Sequence, residues 1–104
     1  MAPSPFSWPH PWLVLSRDGA ETLLDTRAEW VAEWRHRIEA IVEADRPVAH
    51  RRAGLERMLS VNSPQFCRVI LFGVLDAVLE VTALVTAADG RLSALADVEG
   101  EKAA

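Results

Sequence analysis

The sequence predicts a mainly α-helical fold: a three-helix domain with a small N-terminal β-hairpin or an extended proline-rich arm, assembled into an oligomeric bundle. Three observations carry that prediction. Apolar residues recur at helical spacing over long segments. Helix start and stop signals bracket those segments. One segment is apolar on nearly every side, which a small domain alone cannot bury. The chain has 104 residues, close to the commonest single-domain size. Half of them are hydrophobic, too many for a disordered chain.

Residues 1–11 read as a proline- and aromatic-rich arm. Pro3, Pro5, Pro9 and Pro11 remove backbone donors and fix φ, so neither helix nor central strand can form there. Phe6, Trp8 and the neighbouring Trp12 are candidate anchors for a partner, or a cover for the chain's own core. Residues 12–98 read as a single helical domain. Within it, Trp12-Leu13-Val14-Leu15 and Ala20-Glu21-Thr22-Leu23-Leu24 flank an Asp18-Gly19 turn signal, which predicts a short hairpin. The alternative is a helix that begins near Ala20.

Thr26 and Glu29 form a capping box that opens a first helix over 26–45. Trp30, Val31, Trp34, Ile38, Ile41 and Val42 line one face of it, and Glu29, Glu33, His36, Glu39 and Glu43 the other. Asp45-Arg46-Pro47 closes it, because a residue before proline avoids α geometry. Pro47 can open a second helix over 47–60, striped by Val48, Leu55, Met58 and Leu59 and broken at Val61-Asn62. Ser63-Pro64 then reads as N-cap and first residue of a third helix over 63–88, ended by Asp89-Gly90. Leu92, Leu95 and Val98 allow a short helix at 91–98, and residues 99–104 read as a flexible tail.

The expected function is non-catalytic: an interaction or assembly subunit that presents an apolar helix face to itself or to a larger partner protein. The candidate interface is Phe66, Ile70, Val74, Val78, Val81 and Val85 on the third helix, with Trp8 and Trp12 from the arm. The chain carries no glycine-rich phosphate loop, G-x-S-x-G, C-x-x-C or H-E-x-x-H pattern, so an enzyme is not expected.

One alternative is an enzyme or metal-handling bundle using Glu29, Glu33, His36, Asp76 and Glu80 across a subunit interface. Glu33 and His36 have the Glu-x-x-His spacing of carboxylate-bridged metal bundles, whose ligands must point into a core. At 100° per residue, however, His36 points about 180° from the apolar stripe of its own helix, so no cofactor or metal is expected. Asp76 and Glu80 interrupt an apolar helix, either as a buried acid–base pair or as a strip that reaches water or a neighbouring Arg. A second alternative is a small nucleic-acid-binding regulator using Arg51, Arg52 and Arg57, in a segment that also holds Arg46 and His50. The net charge of −4 argues against nucleic acid as the main partner.

Cys67 lies among apolar residues and reads as a buried, inert thiol; as the single cysteine it can form no internal disulfide. Phe66 to Ala88 is long enough to span a bilayer, but Arg68, Asp76 and Glu80 would each cost about 2.5–3.5 kcal/mol near its centre. No membrane span is therefore expected. Met1–Pro5 lacks a basic and then apolar run, so no signal peptide is expected either, and the expected location is cytoplasmic.

Overall fold

The fold begins with an antiparallel pairing that sets Val14 opposite Thr22. In the computed structural model, which describes residues 12–16 and 20–103, Leu13–Leu15 forms β1 and Glu21–Leu23 forms β2, antiparallel. The expected hairpin is present, while its Asp18-Gly19 turn and the arm at 1–11, with Phe6 and Trp8, lie outside the described residues. Hydrogen bonds from Ser16 N–H to the Ala20 carbonyl and from Leu24 N–H to the Trp12 carbonyl extend the ladder at both ends.

An isolated two-stranded hairpin is marginal in water, so this one needs an anchor. The outer edge of β1 supplies it. Leu15 N–H donates to Asn62 Oδ1 at 2.7 Å, and Asn62 Nδ2 donates back to the Leu15 carbonyl at 2.8 Å. One carboxamide thereby replaces the strand that would otherwise pair there, and the free edge is closed. The Trp30 indole N–H donates to the Leu13 carbonyl at 3.3 Å.

The first helix, α1, spans Arg27–Val42 and is capped as the sequence indicates. Thr26 Oγ1 accepts from Glu29 N–H at 3.1 Å. Glu29 reaches back to the amide of Asp25, one residue before the cap, at 3.0 Å. The helix stops at Val42, short of the expected Asp45. Arg51 Nη1 donates to the carbonyl of Val42, the last helical residue, and Arg51 Nε to the carbonyl of Arg46 in the loop that follows.

Beyond Pro47 the helix boundaries differ from those the sequence predicts. The second helix, α2, runs unbroken over Val48–Leu71, through both Asn62 and Pro64, instead of ending at 60. Proline inside a helix costs about 3 kcal/mol because it removes a bond and crowds a carbonyl. Pro64 and Ser60, which loses the bond, both lie on the exposed side, where water can take the freed carbonyl. Keeping the helix intact holds Val48, Leu55, Met58, Asn62, Gln65 and Val69 on a single buried face.

The break comes at Gly73, at φ +84°. Val74 N–H donates to the Val69 carbonyl and Gly73 N–H to the Ile70 carbonyl, the double bond pattern of a Schellman motif. Val74 also packs against the core that contains Val69, as that motif favours. The third helix, α3, then spans Leu75–Ala103. Asp89-Gly90 does not end it, no separate helix forms at 91–98, and the expected tail is helical through 103. Nothing lies within 4 Å of a side chain built at Gly90, so that glycine serves no close approach within the chain.

The three helices pack with α3 lying along both α1 and α2. At the hairpin end an aromatic cluster fills the core: Trp30 lies 5.7 Å from Trp12, 6.3 Å from Trp34 and 6.1 Å from Phe66, between ring centroids. Trp34 and Phe66 are closer still, at 5.2 Å. Ile38, Val42, Val48, Leu55, Met58, Ala88 and Leu92 continue the core away from the hairpin.

Gln65 is the exception in this core. It is 1% exposed, and neither of its amide atoms has a hydrogen-bond partner. A buried polar group without a partner costs about 1–3 kcal/mol. Replacing Gln65 with Met, of similar length and shape, is expected to raise stability by about 1 kcal/mol or more. A urea titration read by circular dichroism measures it; an unchanged or lower midpoint would mean that the amide is satisfied in solution.

Candidate functional site

The site grows out of the turn at Gly73. Because α2 ends there and α3 leaves at an angle, the apolar run that reads as one helix in sequence is divided between two. One stripe of each half faces inward. Val69 on α2 and Ala77, Val78 and Val81 on α3 are buried, and Phe66, Val74, Leu84 and Val85 pack against them. The residues left over face out. Leu71 is 80% exposed, Leu79 58% and Phe72 57%, with Ile70 and Leu75 also exposed beside them. Cys67 stands one turn before Ile70 and Leu71 on α2 and is exposed, not buried.

The candidate interface is corrected accordingly. Val78 and Val81 belong to the chain's own core, and Phe66, Val74 and Val85 are partly buried against it. Trp12 packs on Trp30 in the aromatic cluster. Trp8 lies outside the described residues. Of the six helix positions chosen from sequence, Ile70 is the one that remains exposed. The physical reason is the break at Gly73. With α3 starting at Leu75, the stripe that stays apolar through Ala88 and Leu92 is the core stripe. The stripe of Leu75 and Leu79 gives way to Thr82, Ala83, Thr86 and Gly90, and it faces outward.

That outward face of α3 asks for no polar partner. From Leu79 to Gly90 its central positions carry no charge. The hydroxyl of Thr82 donates to the Val78 carbonyl at 2.7 Å and that of Thr86 to the Thr82 carbonyl at 2.9 Å. Both threonines are thus satisfied within the helix.

The acidic alternative is dispersed. Asp76 and Glu80 are both exposed, and Arg27 Nη2 donates to each of them at 3.0 Å. They form neither a buried pair nor a set with His36. Glu33 accepts from Arg37 Nε at 2.9 Å, and Glu29 is engaged in the α1 cap. Among the described residues no group of three or more His, Cys, Asp and Glu side chains could hold a metal ion.

The basic alternative is divided as well. Arg51 serves the carbonyls at the end of α1, and Arg52 bonds to Ser93 and lies 3.6 Å from Asp89 on α3. Arg57 is exposed farther along α2. The three cations therefore do not form one patch. Among the described residues no helix is long and apolar enough to cross a membrane.

No family model, curated protein or solved structure matches this chain.

Proposed function

We propose that this chain is a non-catalytic assembly subunit that pairs with a second copy of itself through the α2–α3 corner and the outward face of α3. The observation that carries the proposal is the contiguous exposure of Ile70, Leu71, Phe72, Leu75 and Leu79. Soluble monomers rarely leave such a patch open.

Magnitudes favour a modest, reversible contact. Burying one such side chain recovers about 1–1.5 kcal/mol, given that each is already partly covered. Five of them in each of two copies contribute about 10–15 kcal/mol, against an association cost on the order of 4–15 kcal/mol. The upper part of that balance, about 6–8 kcal/mol, corresponds to dimerisation at micromolar to tens of micromolar concentration. A second copy is the fitting occupant because the middle of the α3 face, at Leu79, Thr82, Ala83, Thr86 and Gly90, is uncharged and its threonines are satisfied. Two such faces can meet along these uncharged positions, with the Asp76 and Glu80 carboxylates each bonded to Arg27 at the border. The free thiol of the lone cysteine accords with a reducing cytoplasm, where the proposal places the chain.

Cys67 reports on the contact without any substitution. Its reaction with a maleimide is expected to slow several-fold as protein concentration rises from about 1 to 200 μM, bracketing that micromolar range. A rate independent of concentration would remove the second copy from this face.

A further inference from the structure

A separate feature lies between the C-terminal half of α1 and the start of α2. It is a cleft of about 550 Å³, lined among others by Glu33, His36, Arg37, Arg46, His50 and Arg51. Ile41 and Met58 give it an apolar wall. The volume falls in the usual range for small-molecule sites, about 300–1,000 Å³.

Its electrostatics oppose those of the chain as a whole. The protein carries a net charge of −4, yet the cleft sets three guanidinium groups against one carboxylate. Two of those guanidinium groups are held in place by neighbours. Arg51 donates to the carbonyls of Val42 and Arg46, which orient it, and makes a long ion pair at 4.0 Å with the exposed Glu99. Arg37 bonds Glu33 through Nε and Thr22 through Nη2, at 2.9 and 2.7 Å. Its Nη1 is buried with no hydrogen-bond partner, in a side chain only 15% exposed. A buried, charged donor left unsatisfied is costly, and an anion is the group that would satisfy it.

The rim adds donors. Among the described residues, no hydrogen bond or ion pair engages the side chains of His36, Arg46 or His50. The first turn of α2, which carries His50 and Arg51, has no side-chain cap and no acidic residue. A free helix start of that kind favours negative charge.

We infer that this cleft binds a small phosphorylated molecule, its phosphate held by Arg37, Arg46 and Arg51 and its carbon part against Ile41 and Met58. Three guanidinium groups against Glu33 in the cleft and Glu99 outside its lining leave the site net positive, and charge-assisted bonds to phosphate oxygens suit it. Planar guanidinium forks suit phosphate oxygens, and two of these three are already oriented, so little side-chain freedom is lost on binding.

The test titrates the full chain with inorganic pyrophosphate and follows backbone amide NMR shifts, with sodium chloride at matched ionic strength in parallel. Saturable shifts confined to Thr22 and residues 36–51 are expected with pyrophosphate and not with chloride. Arg46→Ala removes an exposed side chain that makes no hydrogen bond or ion pair among the described residues, so the fold is kept, and it is expected to weaken binding about ten-fold. Shifts that fail to saturate, that chloride reproduces, or that persist unchanged in Arg46→Ala would overturn the inference. So would tighter binding of a short single-stranded oligonucleotide than of pyrophosphate, since it would point to a polymer in place of a small molecule.

Discussion

Asn62→Ala is expected to destabilise the protein by about 3 kcal/mol and to free the hairpin from the helices. The Asn62 carboxamide makes three hydrogen bonds, to the Leu15 amide, the Leu15 carbonyl and the Met58 carbonyl, and it is fully buried. Alanine leaves the two partly buried Leu15 groups without their partners, at about 1–3 kcal/mol for each unsatisfied group. For a domain whose total stability is on the order of 5–15 kcal/mol, that is a large fraction. Urea denaturation gives the magnitude, and hydrogen exchange gives the location. Leu15 N–H is expected to lose its protection, while amides in the middle of α2 keep theirs relative to global unfolding. A cost under about 1 kcal/mol would mean that packing of Leu13 and Val14, and not the carboxamide, anchors the hairpin.

The reach of sequence reasoning follows from the distance over which each device acts. The cap of α1 was legible because Thr26, Glu29 and the amides they satisfy lie within four residues of one another. The hairpin was legible from two apolar runs around a turn signal. Asn62 and Pro64 depart from the local rules, which take both as helix breakers, whereas α2 runs through them. Their role depends on β1, which is 47 residues away from Asn62 in sequence. Burial of one continuous α2 face outweighs the local cost of the proline.

Gly73 was the signal that could have corrected the error. It is a glycine inside a long apolar run, and reading it as a helix end moves the break by about ten residues, well beyond the usual uncertainty in helix ends. The run from Phe66 to Val85 then ceases to be one helix apolar on all sides. The choice between inner and outer stripes follows from which one stays apolar to Leu92. The cleft was not legible at all. Arg37 and Arg51 are brought together by the pairing of α1 with α2, and neither belongs to a motif.

The second large effect concerns the corner itself. Leu71→Lys combined with Leu79→Lys is expected to abolish self-association while leaving the isolated chain folded. Both side chains are mostly exposed, so exchanging them for Lys changes monomer stability by no more than about 0.5 kcal/mol each. A cation in the last turn of α2 is, moreover, favoured by the helix dipole. In a paired assembly the same changes bring like charges together across an apolar contact and remove its most exposed anchors. A variant that melts at the wild-type temperature yet associates as before would place the contact elsewhere on the surface.

Molar mass in solution is the most direct measurement of this account. Light scattering coupled to size exclusion, run on the unmodified chain from about 5 to 200 μM, spans the expected dissociation constant. Wild-type mass is predicted to rise with concentration to at least twice that of the chain, and the double Lys variant to stay at 11.5 kDa throughout. A wild-type chain that remains a soluble, cooperatively folded monomer of 11.5 kDa across that range would contradict it.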